Sequence, residues 1–157
     1  MFKDGEIEGV VIRKLVRYND ERGWLMELFR HDEIDEEYHP AMTYLSLTRP
    51  GVARGPHEHI DQADYFCFAG PSDFKVYLWD NRPESLTYKH RMTMVAGVSN
   101  PVALIVPRNV VHAYKNVGDA DGLVVNCPNR LFKGEGKKEP VDEVRYEEDH
   151  SSPYRLD

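Results

Sequence analysis

Three histidines stand where imidazole chemistry is possible. His57 and His59 are two apart in Gly51-Val52-Ala53-Arg54-Gly55-Pro56-His57-Glu58-His59, a turn feeding an apolar run that begins near Asp64. In extended chain, residues two apart share a face, so both rings can point into one interior. His112 lies in Val106-Pro107-Arg108-Asn109-Val110-Val111-His112-Ala113-Tyr114-Lys115-Asn116, where a Pro-containing turn leads into a second such run. Imidazoles gathered at one cavity serve two chemistries: holding a divalent metal, or moving protons near neutral pH without one. The other four, His31, His39, His90 and His150, fall in polar segments and are expected in solvent.

The elements that must carry these rings read as strands. Residues 10–16, 43–47, 64–68, 74–79, 104–106 and 122–125 are short runs rich in β-branched and aromatic side chains. Turn signals bound them, including Arg49-Pro50-Gly51, Ala69-Gly70-Pro71 and Asn116-Val117-Gly118-Asp119. With few helical segments between them, such runs predict a sandwich or barrel. The acidic stretch 31–38 is expected to form a helical turn or short helix. Residues 133–157, with Lys133, Lys137 and Lys138 and an acidic end, read as a polar extension, solvated or packed on a partner subunit. The expectation is one all-β domain over residues 1–157.

At 157 residues, 41% hydrophobic and 30% charged, the chain can bury a core and is neither disordered nor fibrous. A net charge of −7 argues against nucleic acid as a partner, while leaving room for a local basic pocket around a small phosphorylated ligand. No apolar run reaches the roughly 18–20 residues of a membrane span, and the first residues lack the pattern of a signal peptide, so a cytoplasmic location is expected. Cys67 and Cys127 sit in apolar stretches without metal-type spacing and read as buried, reduced thiols.

The two histidine segments resemble the paired motifs of the cupin superfamily. Gly51, His57, His59 and Asp64 match the first, with Asp in place of the usual Glu; Pro107, His112 and Asn116 match the second, with Asn109 in place of Gly. The resemblance implies a jelly-roll barrel with the three histidines near one cavity. A narrower likeness points to sugar-nucleotide epimerases of the dTDP-4-dehydrorhamnose 3,5-epimerase family. Asp20-Glu21-Arg22-Gly23-Trp24-Leu25-Met26-Glu27-Leu28-Phe29 is similar to that family's Asp-x-Arg-Gly-aromatic-x-x-Glu-x-aromatic signature. The stretch 51–57, Gln62, Gly70, the run 80–87 and the stretch 107–112 follow in the family's order.

That resemblance implies metal-free, cofactor-free chemistry on a nucleotide-linked 4-keto sugar. His57 is the expected general base at the carbon beside the ketone, and His112 helps to stabilise the enolate oxygen. Arg22, Glu27, Arg54, His59, Gln62 and Asn126 are the expected substrate-binding residues. A homodimer is expected, with the Arg22 segment crossing to the neighbouring site. Trp24 and Phe29 read as core or interface residues. The demands are physical as well: a weak carbon acid needs a base and preorganised positive charge or donors at the developing enolate.

Three departures bear on this. Asn126 stands where the family has its proton-donating tyrosine, and Asp64 replaces an active-site lysine. The chain also stops, on this reading, before the aspartate that orients the catalytic histidine. Asp80 is a candidate to orient a histidine instead, its other reading being a strand-end ion pair with Arg82. Tyr44 is a candidate acid, in an arrangement similar to that of dTDP-hexose 3,4-ketoisomerases. Two further readings stay open: a metal cupin using His57, His59, Asp64 and His112, and a sugar-nucleotide binder without catalysis.

Overall fold

Phe66 and Phe68 leave their strand on one side, Tyr65 and Cys67 on the other, and all four are buried. A strand apolar on both faces needs cover on both. The computed structural model, which describes residues 1–157, supplies that cover in three layers. Its strands are β1 (Lys3–Asp4), β2 (Val11–Lys14), β3 (Arg17–Asp20), β4 (Gly23–Met26), β5 (Tyr44–Thr48), β6 (Ala53–Glu58) and β7 (Asp64–Gly70). They continue with β8 (Asp73–Asp80), β9 (His90–Gly97), β10 (Val102–Val106), β11 (Val110–Asn116), β12 (Gly122–Asn126) and β13 (Val144–Arg145).

One sheet has the order β1-β9-β8-β11-β6-β13, the other β2-β10-β7-β12-β5, and β3–β4 is a separate hairpin. The two large sheets enclose Phe66, Phe68, Phe74, Val76, Leu78, Leu104, Val110, Tyr114 and Val124. This is the expected jelly roll. Because Val110 and Tyr114 face that interior, His112 between them faces it too. No helix is long and apolar enough to cross a membrane.

The outer face of the five-stranded sheet, with Tyr65, Cys67, Ala103 and Ile105, is covered by Leu15, Leu28, Phe29 and Ile34. The acidic stretch within this cover forms two 3₁₀ turns, His31–Glu33 and Glu36–Tyr38. His39 is not in solvent: its Nε2 lies 2.9 Å from the His31 carbonyl and 3.0 Å from that of Ile34. Cys67 and Cys127 are free and buried, as expected.

The tail corrects the expectation of a merely polar extension. The outer face of the six-stranded sheet buries Tyr77, Trp79, Val111 and Ala113 under Tyr154, flanked by Phe2, Tyr146 and Leu156. Ring centroids lie 4.8 Å apart for Tyr146–Tyr154 and 5.6 Å apart for Trp79–Tyr154. A segment of polar average composition docks because its few aromatics fall where the sheet needs cover, and each such burial is worth roughly 1.5–3 kcal/mol.

Of the strands outside the apolar runs, β6 and β9 are the longest. β9 alternates, with Met92 and Met94 packed against the core and Val95 exposed, so its polar residues mask its period. The stretch read as a turn before Asp64 is itself strand β6 over Ala53–Glu58.

Candidate active site

Arg54 and His57 are three apart, so in a regular strand they would face opposite ways. Pairing between β6 and β11 sets His112 against His57 and Tyr114 against Arg54, with a register shift between the two pairs. Two residues on β11 thus span three on β6, a bulge that returns Arg54 to the face of His57. Gly55 makes it possible. Its φ is +81°, and a Cβ there would stand 2.5 Å from the His112 carbonyl oxygen and 3.1 Å from His57 Nδ1.

The three rings converge at the mouth of the barrel. Ring centroids are 4.4 Å apart for His57–His112 and 5.6 Å apart both for His57–His59 and for His59–His112, with Phe66 5.4 Å from His112. Asp64, at the start of β7 and only 2% exposed, is the pivot. Its Oδ2 lies 3.2 Å from the Nε2 of both His59 and His112, though off the line of an N–H bond. His57 Nδ1, Asp64 Oδ2 and His112 Nε2 are buried without a hydrogen-bond partner. Native interiors seldom leave such atoms unpaired away from a functional site.

Proton positions follow from the partners. A carbonyl only accepts, so His112 Nδ1, 3.0 Å from the Val110 oxygen, carries its proton, as does His59 Nδ1 against the Asp142 carbonyl. Burial works against a charge on His59, yet Asp64 and that carbonyl outweigh it and raise the ring to about 9. Burial also opposes ionisation of Asp64, but the two imidazoles hold it well below the usual carboxylate range. His57 goes the other way: burial, joined by repulsion from His112 and His59, pushes it down to about 2. A neutral ring thus sits beside an ion pair.

Asp64 Oδ1 accepts from Gln62 Nε2 and from Asn126 Nδ2, both at 2.8 Å. Asn126 Nδ2 also donates to the Tyr44 hydroxyl at 3.0 Å, while Asn126 Oδ1 accepts the Tyr65 backbone N–H at 3.1 Å, which fixes the amide's orientation. Asn126 therefore links Tyr44 to Asp64. Burial raises the Tyr44 phenol to about 12, so it stays a hydrogen donor. Arg54 spans to the Thr48 hydroxyl at 2.9 Å and the Leu47 carbonyl at 2.8 Å.

Two carboxylates of the C-terminal segment approach His57. Glu147 Oε1 is 3.7 Å from His57 Nδ1, and Glu143 Oε1 is 4.0 Å from its Nε2. Their sequence distance from β6 gave no local signal. Asp80 does not take that role. It is fully buried at the end of β8 and binds Arg82, Ser85 and Thr87, with Arg82 Nε at 2.8 Å and Thr87 Oγ1 at 2.6 Å, and contacts no histidine.

Burial opposes the Asp80 charge, but these donors prevail and lower it to about 2. Since its folded value is depressed, the stabilisation is complete above the unfolded value near 4 and is lost as pH falls to about 2, an effect of about 2 kcal/mol. Asp80→Asn is therefore expected to lower unfolding free energy by about that amount at pH 7 and by much less at pH 2, as read from denaturant titrations.

Arg22 and Glu27 are not brought to the histidines within this chain. Arg22 sits at the tip of the β3–β4 hairpin, its side chain 82% exposed and paired with Asp20. Glu27 follows β4 on the surface, 3.7 Å from Arg30. Trp24, on the same hairpin, is exposed and lies under the Arg17 guanidinium, while Phe29 packs edge-on to Tyr65.

As metal donors, ring nitrogens of His57, His59 and His112 lie within 4.8 Å of one another, with Asp64 adjacent. The donor types suit a divalent transition ion. Around a four-coordinate ion with bonds near 2.1 Å donors stand roughly 3.4 Å apart, close to the 3.2 Å from Asp64 Oδ2 to each Nε2, so the donor set fits such an ion.

Comparison with known proteins supplies the family and the fold. The model of the dTDP-4-dehydrorhamnose 3,5-epimerase family matches residues 4–139. A protein of Haloferax volcanii described as a probable low-salt glycan biosynthesis epimerase, Agl13, is 36% identical over 135 residues, covering 85% of each chain. Among solved structures, a dTDP sugar isomerase from Desulfovibrio desulfuricans G20 superposes with a TM-score of 0.78 at 22% identity, over 92% of this chain and 87% of the other. The Legionella pneumophila dTDP-6-deoxy-D-glucose-3,5-epimerase RmlC, in complex with dTDP-4-keto-L-rhamnose, gives 0.74 at 19% identity, over 90% and 74%. With a family model spanning most of its length and a relative of this identity, the chain belongs to the dTDP-4-dehydrorhamnose 3,5-epimerase family of isomerases.

Proposed function

We propose that this protein isomerises a dTDP-linked 4-keto sugar by moving a proton at the carbon beside the ketone, without metal or organic cofactor. The observation that carries the reading is the arrangement within one cavity: the His57 ring 4.4 Å from His112, its Nδ1 buried without a hydrogen-bond partner, next to His59 with Asp64 at 3.2 Å. His57 offers a lone pair to the acidic C–H. Glu143 and Glu147 stand where the imidazolium charge develops. His59, His112 and Arg54 surround the place of the enolate oxygen, where fixed donors in a dry site count for most. The Tyr44 hydroxyl, held through Asn126, returns a proton to the carbon. Gln62 braces Asp64.

The family, and the Legionella relative, whose ligand is a dTDP-4-keto sugar, support the substrate class. The Haloferax relative's name places such chemistry in glycan assembly. Arg22, Trp24 and Leu25 are exposed on the β3–β4 hairpin, and on this reading the hairpin extends to the site of a second copy in a homodimer. Glu27 flanks that nucleotide-binding edge.

Deuterium incorporation from solvent into a dTDP-4-keto-6-deoxyhexose tests the reading. Exchange is expected, and it is expected to survive prolonged dialysis against a chelator. Activity lost on chelation and restored by a divalent ion would replace the metal-free mechanism with one using His57, His59, Asp64 and His112 as ligands. Nucleotide binding with no exchange would identify a binder.

A further inference from the structure

The C-terminal segment returns to the barrel mouth at Asp142, and every polar acceptor of that residue is used there. Its carboxylate accepts three consecutive backbone N–H groups: Ile60 at 2.8 Å, and Asp61 and Gln62 each at 2.9 Å. Its carbonyl accepts the Nδ1–H of His59. Just beyond, β13 pairs Val144 with Glu58 and Arg145 with His57, and the Tyr146 hydroxyl donates to the buried Glu58 at 2.5 Å. One short stretch therefore grips the chain on both sides of His59.

The grip has a chemical consequence. With Nδ1–H committed to a carbonyl, His59 presents Nε2 to Asp64 Oδ2, 3.2 Å away, and to the cavity. The same residue caps the turn that carries Gln62, whose amide holds the other oxygen of Asp64 at 2.8 Å. Carboxylate and ring are thus aligned by a residue some eighty positions away in sequence. Building on the isomerase reading above, we propose that Asp142 is a positioning residue of the reaction, aligning His59 and Asp64 with the cavity without touching the sugar. The tail is then a working part of the site as well as cover for a sheet.

Asp142→Ala and Asp142→Asn test this in the full-length protein. Two readouts serve: α-hydrogen exchange kinetics on a dTDP-4-keto-6-deoxyhexose, and the ring N–H resonance of His59 by ¹⁵N–¹H NMR. Asp142→Ala is expected to lower kcat about 100-fold with KM little changed, since a small misplacement of reacting groups costs that much. Its sheltered His59 Nδ1–H signal is expected to disappear. Asparagine keeps an oxygen for the turn and is expected to recover kcat to within about tenfold of wild type.

A kcat within twofold of wild type in Asp142→Ala, with the resonance intact, would overturn the proposal. So would a loss that asparagine does not reduce. Should Asp142→Ala fail to fold, Asp142→Asn decides alone: wild-type kcat and an unshifted His59 signal overturn it, and a lowered kcat at constant KM supports it. If the wild-type protein exchanges no hydrogen, the isomerase reading falls and takes the positioning role with it. If it exchanges and both variants match it, only the positioning role falls.

Discussion

His57→Ala should bind a dTDP-sugar with close to wild-type affinity and exchange its α-hydrogen at least about 10³-fold more slowly, the scale expected when a general base is removed. The ring is buried against His112 at 4.4 Å, and burial keeps it neutral, so its lone pair is not tied up by a proton before substrate arrives. The β3–β4 hairpin, assigned to the nucleotide-binding edge, is left in place. Calorimetry with dTDP and proton NMR of the sugar in D₂O separate the two effects. Lost binding with retained exchange would contradict the assignment and point to a role in holding substrate.

Asp64→Asn is expected to damage both stability and rate. The carboxylate sits between two imidazole Nε2 atoms at 3.2 Å and accepts two amide donors on its other oxygen, nearly out of reach of water. An amide of the same shape cannot neutralise His59, and breaking one side of a buried ion pair typically costs about 3–5 kcal/mol. The rate should fall by a further factor of about 10²–10³, because the positive charge facing the enolate depends on this anion. Thermal unfolding and exchange kinetics measure the two losses independently. A variant with wild-type stability and rate would reduce Asp64 to a packing residue. It would also break the link from Tyr44 through Asn126 to the histidines.

Much of this site was legible in local pattern. Alternation along β11 places His112 in the interior with Val110 and Tyr114, and the two-residue spacing puts His57 and His59 on one face. The apolar runs identified most of the barrel strands, and the acidic stretch 31–38 turned helical as expected. The resemblance to the family marked Tyr44 and Asn126 as departures from it, though not that they would bond each other.

What local pattern could not carry was every contact set by a shift of register or by distant chain. Period two assigns Arg54 and His57 to opposite faces; only the bulge at Gly55, required by the close approach of β11, unites them. Asp80 was a candidate partner for a histidine because its type allowed it, yet the turn after β8 supplies three nearer donors. The tail read as solvated or packed on a partner subunit because its average composition is polar, and average composition does not register which few side chains meet a bare sheet of the same chain. Amino-acid order by itself determined which residues of a regular, unbulged strand face inward, since that is a property of one strand. Which carboxylate meets which imidazole was decided by tertiary structure, because it depends on strands and loops some eighty residues apart arriving at the same barrel mouth.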